Sequence, residues 1–172
     1  MKEVIQNLLT RRSVRAFTEK HITKQDLDII LKTALYAPSG MNQQTWQFTA
    51  ITNREKIQTL ADAVGKALNR ENYNFYKPAV LVIPSNERES RWGKEDNACA
   101  LENIFLAAHA LGIGSVWINQ LQTICDEPEI RSILQTFGVP DSHVVYGMAA
   151  LGYAAEPPKK DVLKTGIIKI VD

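Results

Sequence analysis

Apolar residues recur along this chain with two periods, and each change of period marks the end of an element. Val4, Ile5, Leu8 and Leu9 predict a short amphipathic helix from about Lys2 to Thr10. A second helix follows, with Thr23 as cap, Asp26 three residues on in place of the usual Glu, and Leu27, Ile30, Leu31, Ala34 and Leu35 as its stripe. Pro38 ends it by disfavouring helix for Ala37. The period then drops to two: Trp46, Phe48 and Ala50 point one way and Gln47 and Thr49 the other, as in a half-buried strand. Asn53 caps a third helix to Asn69, with Ile57, Leu60, Ala61, Val64 and Leu68 on one side. After an aromatic loop from Asn72 to Pro78, the run Ala79 to Ile83 reads as a central strand ended by Pro84.

The mixed charges from Glu87 to Asp96 predict a mobile surface loop. Beyond it, Asn97 to Leu111 is the longest helical pattern, with Leu101, Ile104, Phe105 and Ala108 on one stripe and Cys99, Ala100, Leu106, Ala107 and Ala110 around the rest. A helix this apolar on every side belongs in a core or at a subunit interface. His109 on it reads as a satisfied core histidine, and Gly112 as its terminator. Ser115 to Ile118 predicts a buried strand, Asp126 to Phe137 a helix with Pro128 in its first turn and Gly138 at its end, and His143 to Leu151 another strand. A proline and lysine tail follows, and Ile167 to Val171 predicts one last short strand. The alternation implies a layered α/β or α+β domain.

Composition narrows the function. The 172 residues suit one domain over residues 1–172 with a proper core, and 45% hydrophobic with 23% charged content is that of a globular chain. A formal charge of +1 argues against a general nucleic-acid binder, so any anion site must be local. Cys99 and Cys125 lack neighbours at metal-ligand spacing and read as buried free thiols, with no metal site. The apolar run Ile104 to Ile118 is broken by His109, Gly112 and Gly114 and is too short for a membrane span. With early charges and no apolar signal core, the expectation is a cytoplasmic protein.

Two stretches carry candidate chemistry. Arg11-Arg12-Ser13-Val14-Arg15 puts three guanidiniums and a hydroxyl where the first helix hands over to a loop. Guanidinium forks match phosphate oxygens, so this is either an anion cradle or a solvated basic loop. In Pro38-Ser39-Gly40-Met41-Asn42-Gln43-Gln44, the small residues allow a tight turn, and the amides either satisfy local backbone or read the edge of a planar heterocycle.

Taken in order, RRSVRAF, APSGMNQQTWQF, the Ala-rich helix leading to LGIGSVWI, and LGYAAEPPKK resemble the nitroreductase family of FMN-dependent oxidoreductases, over nearly the whole chain. The length resembles the family's short members. The resemblance implies an α+β fold with a mixed sheet wrapped by helices, and a homodimer with two FMN sites at its interface. Arg11, Arg12, Ser13 and Arg15 then match the flavin-binding motif, with Arg11 and Ser13 at the phosphate and Arg15 at the pyrimidine side. Pro38, Ser39, Gly40 and Asn42 match the stretch of the second subunit that lines the ring, with Asn42 or Gln44 at its polar edge. Trp117, Ile118 and Asn119 match the strand end that passes beside the isoalloxazine. The family's tail usually ends the phosphate site with a lysine and an arginine; here only Lys159 and Lys160 stand there.

The resemblance further implies that FMN carries the chemistry, taking hydride from NADH or NADPH and reducing a nitroaromatic, quinone or similar electron-poor acceptor in a ping-pong cycle. No catalytic side chain is required, and Arg15 tunes the flavin. The short stretches from Asn69 to Lys77 and Glu87 to Asp96 favour an open site. Competing readings are a specialised flavoenzyme of the same fold (a dehalogenase, a flavin-fragmenting enzyme or a ring dehydrogenase) and a non-catalytic flavin-binding sensor. The nicotinamide preference is not legible, because the GxGxxG turn that would locate a dinucleotide is absent.

Overall fold

The computed structural model of the protein describes residues 2–156 and 162–172. Lys159 and Lys160 lie outside them. The elements run α1 (Glu3–Thr10), α2 (Lys24–Ala34), β1 (Trp46–Ile51), α3 (Arg54–Ala67), β2 (Val80–Glu87), α4 (Gly93–Ala110), β3 (Gly114–Ile118), α5 (Pro128–Thr136), β4 (His143–Val144) and β5 (Met148–Gly152). Short 3-10 turns occupy Gly40–Asn42 and Gln120–Thr123.

The sheet has the order β1-β2-β5-β3, with β4 pairing to the far end of β2. All four named pairings are antiparallel. Among the described residues the sheet is mixed only through a single parallel bridge from Ser13 to Ser115. Helices cover both faces, which explains why β2 is apolar without alternation. Leu81 and Ile83 join α3 and α5 in one cluster around Leu60, Val64, Ile130 and Leu134. Val80 and Val82 join α2 and α4 in the other, around Ile30, Leu101, Ile104 and Ala108. Each buried Val, Leu or Ile side chain among these contributes about 1.5 to 3 kcal/mol relative to exposure.

The caps act as the sequence predicts. Thr23 Oγ1 accepts from Asp26 N, and Asn53 Oδ1 from Lys56 N. At the end of α4, Gly112 takes φ 71°, which lets its own N–H reach His109 O and the N–H of Ile113 reach Ala108 O.

Four elements depart from expectation. Pro84 does not end β2, which continues to Glu87. The last β5 partner of β2 is Val82 and its first β4 partner is Asn86, so the stretch holding Pro84 has no ladder to complete on that side. The supposed loop from Glu87 to Asp96 is the end of β2, a tight turn and the first turn of α4, which starts at Gly93. Residues His143 to Leu151 form two strands rather than one, interrupted at Val145-Tyr146-Gly147 where the indole of Trp117 crosses; a Cβ on Gly147 would lie 2.6 to 2.9 Å from that ring. The residues from Ile167 to Val171 form no strand and lie exposed.

Helix α4 is buried on the side carrying Leu101, Ile104, Phe105 and Ala108. Its other side, with Asn103, Leu106, Ala107 and Ala110, forms the wall of an apolar groove of about 560 Å³ completed by Asn7, Ile29, Thr33 and Tyr36. In the single chain the helix is therefore half covered.

Candidate functional site

The arginine cluster is held from two directions. Helix α1 has no buried residue of its own, yet it is bolted to α4: Asn7 Nδ2 donates to Leu106 O at 3.0 Å, and Thr10 Oγ1 meets His109 Nε2 at 2.8 Å. The Thr10 hydroxyl already donates its proton to Gln6 O, so His109 must donate from Nε2, which fixes its tautomer. These bonds set the end of α1, where Arg11 is the C-cap with its N–H on Asn7 O. Two residues on, Ser13 bridges to Ser115 and Val14 N donates to Ser115 O, so the chain is pinned to the start of β3.

Arg11 and Arg12 are half-buried, and Ser13 and Arg15 are exposed. Arg12 Nη1 faces the carbonyls of Leu9 and Arg11. Among the described residues neither Arg11 nor Arg15 has a carboxylate in salt-bridge range. Burial, and then the nearby Arg11 guanidinium, push the His109 pKa below the usual imidazole value. Two cations and a hydroxyl without an acidic partner suit a phosphate, which accepts from guanidinium forks and backbone or hydroxyl donors alike.

On β3, Ile118 is buried while Trp117 is 39% exposed and Asn119 is exposed. The indole leans on Phe105 at 6.1 Å between centroids, and its Nε1 donates to Asn119 Oδ1 at 3.1 Å. Those two contacts hold the indole beside the strand end.

The amide turn lies elsewhere on the chain. Pro38 is exposed, Ser39 and Gly40 are half-buried, and Asn42 and Gln44 are exposed with Gln44 Nε2 donating to Asn42 Oδ1 at 2.7 Å. Met41, Asn42 and Gln44 all hold left-handed backbone, at φ 52°, 57° and 50°. The turn docks on the first turn of α4. Ser39 Oγ and Gly40 N donate to the two oxygens of Asp96, both at 2.9 Å, and the Trp92 ring covers Gly40. A Cβ on Gly40 would fall 2.2 Å from the ring, so only glycine fits.

The structure thus brings Arg11, Ser13 and the β3 strand together and leaves Ser39 to Gln44 apart from them. His109 marks one end of α4 and Asp96 the other, about 20 Å away at about 1.5 Å per residue. Sequence reasoning missed Trp92, Asp96 and the Thr10–His109 bond. An acid just inside a helix start was the available signal for Asp96, and the surrounding charges hid it.

An α+β sheet sandwiched by helices thus carries, beside the exposed end of β3, a basic cluster in which Arg11 and Arg15 have no carboxylate in salt-bridge range among the described residues, a setting suited to an anionic ligand. The sequence model of the nitroreductase family matches residues 8–77 and 66–153. A nitroreductase with bound FMN from Bacteroides fragilis is 44% identical, with a TM-score of 0.95 and full coverage of both chains. An FMN-dependent nitroreductase from Clostridium difficile R20291 is 30% identical, with a TM-score of 0.76, 92% of this chain and 91% of that one covered. A relative from Archaeoglobus fulgidus, provisionally named an NADH dehydrogenase/NAD(P)H nitroreductase, is 32% identical over 157 residues, 89% of this chain and 86% of its own. The chain belongs to the nitroreductase family.

Proposed function

We propose that the protein is an FMN-dependent NAD(P)H oxidoreductase that reduces small electron-poor acceptors such as nitroaromatics and quinones. The observation that carries this reading is the Arg11, Ser13 and Arg15 cluster, anchored at β3 and α4 and free of carboxylate partners among the described residues. FMN bound in the Bacteroides fragilis relative, which matches from end to end, supports the same ligand here.

Arg11 and Ser13 bind the phosphate, with Arg12 beside them and Lys159 or Lys160 completing the shell. Arg15 stands at the pyrimidine side, where its charge favours the electron-rich state of the ring. Trp117, Ile118 and Asn119 line one edge along the β3 strand end. FMN, when bound, supplies hydride acceptance and donation, so the protein needs no nucleophile or acid/base pair. Pro38, Ser39, Gly40, Asn42 and Gln44 come from a second copy of the chain, a homodimer reading that the separation along α4 supports. The apolar groove on the open side of α4 supports it as well. One open face serves NAD(P)H and acceptor in turn, which implies ping-pong kinetics.

Among the described residues no helix is long and apolar enough to cross a membrane. We place the protein in the cytoplasm, where its two free cysteines stay reduced. The test is the visible spectrum of the purified protein, followed by NADH and NADPH oxidation with a nitroaromatic or quinone. A flavin spectrum with acceptor-dependent turnover is expected. A colourless protein that does not take up added FMN refutes the reading, and flavin without turnover favours a specialised flavoenzyme of the same fold or a flavin-binding sensor.

A further inference from the structure

Among the described residues Asp96 is the only buried carboxylate, at 4% exposure, and it has no cationic partner among them. Its two oxygens are both engaged by the amide turn: Ser39 Oγ donates to Oδ2 and Gly40 N to Oδ1. Ser39 Oγ in turn accepts from Gln44 N at 2.9 Å, so the carboxylate reaches Gln44 through one relay. Gln44 then holds Asn42 side chain to side chain. Both direct hydrogen bonds from α4 to this turn end on this one acid, beside the Trp92 ring that packs on Gly40.

The backbone explains why such an anchor is needed. Three non-glycine residues of the turn sit in left-handed conformation, which L residues keep only where the surroundings impose it. Released from Asp96, the turn would relax; released from the turn, Asp96 would be a buried charge without donors. Each holds the other in place, and the N-terminal end of α4 favours the negative charge there.

We propose that Asp96 is the positioning residue for the flavin ring: it sets where Asn42 and Gln44 stand, and through them the affinity and reduction potential of bound FMN. This rests on the reading that the turn lines the ring. The carboxylate does not touch the flavin and takes no part in hydride transfer.

The experiment compares the holoprotein with Asp96→Asn and Ser39→Ala, titrating FMN and measuring the midpoint potential. Asn keeps the shape but offers Ser39 a donor where an acceptor stood, and Ser39→Ala removes the relay without changing charge. Both variants are expected to raise the FMN dissociation constant roughly tenfold and to shift the potential to more negative values, with unchanged circular dichroism. Because both act through one bond, the double variant is expected to be no weaker than the weaker single. Additive losses, or a folded Asp96→Asn protein indistinguishable from wild type, overturn the proposal. So does a raised potential in Asp96→Asn with none in Ser39→Ala, since the acid would then act as a distant charge. If Asp96→Asn does not fold, Ser39→Ala alone decides by the same two readouts. Wild-type protein that binds no FMN overturns the functional reading too, whereas wild-type binding with indifferent variants overturns only the role of Asp96.

Discussion

At the scale of single residues, Arg11 and Arg15, which lack a carboxylate in salt-bridge range among the described residues, are assigned separable jobs. Charge-assisted hydrogen bonds contribute about 1.5 to 3 kcal/mol each, so Arg11→Ala is expected to weaken FMN binding by one to two orders of magnitude, roughly, while leaving the fold intact. Equilibrium dialysis measures it, and full flavin retention on dilution would remove Arg11 from the phosphate site. Arg15→Ala is expected to keep FMN and lower its potential; an unchanged potential in a dye-coupled titration would take Arg15 out of the tuning role. His109 and His143 supply a pH dependence. Burial is the first cause of a lowered pKa in both. A histidine depressed in the folded state binds its proton more readily when unfolded. Its stabilising contribution is complete above the unfolded value of about 6.5 and is lost as pH falls below it. Melting temperature is expected to be level above about pH 7 and to decline below about 6.5, with a shallower decline in His109→Gln, which keeps a donor for Thr10.

At the scale of elements, α4 joins the sheet to every other feature of the site. Leu101→Ala, in the middle of its buried stripe, is expected to cost about 2 to 5 kcal/mol in urea unfolding, because neighbours on α2 and the sheet cannot close the gap. The periodicity of this helix was legible, as were the caps at Thr23 and Asn53 and both strands flanking the core, since local pattern alone decides them. Pro84 inside β2 was not, because whether a strand tolerates proline depends on which neighbour it lacks, a property of the sheet rather than of the sequence around it. The first turn of α4 was hidden for a related reason: Lys94, Glu95 and Asp96 read as solvent-facing charges, and only the distant turn at Ser39 shows that one of them is buried. The two halves of the candidate site were visible as composition, but that this helix holds them apart was visible only in three dimensions.

At the scale of the whole molecule, the proposed homodimer would make the site a property of pairs of chains. If a second copy covers the open wall of α4 and its groove, flavin uptake is expected to depend on protein concentration. The length of α4 carries a genetic consequence. A chain damaged at Arg11 still has a sound turn, and a chain with Gly40→Ala still has sound arginines. Co-expressed, two individually inactive products are expected to restore turnover by complementation. Each hybrid would pair the undamaged parts at one flavin and both lesions at the other. No rescue in isolated hybrids would mean that each polypeptide assembles its own centre unaided.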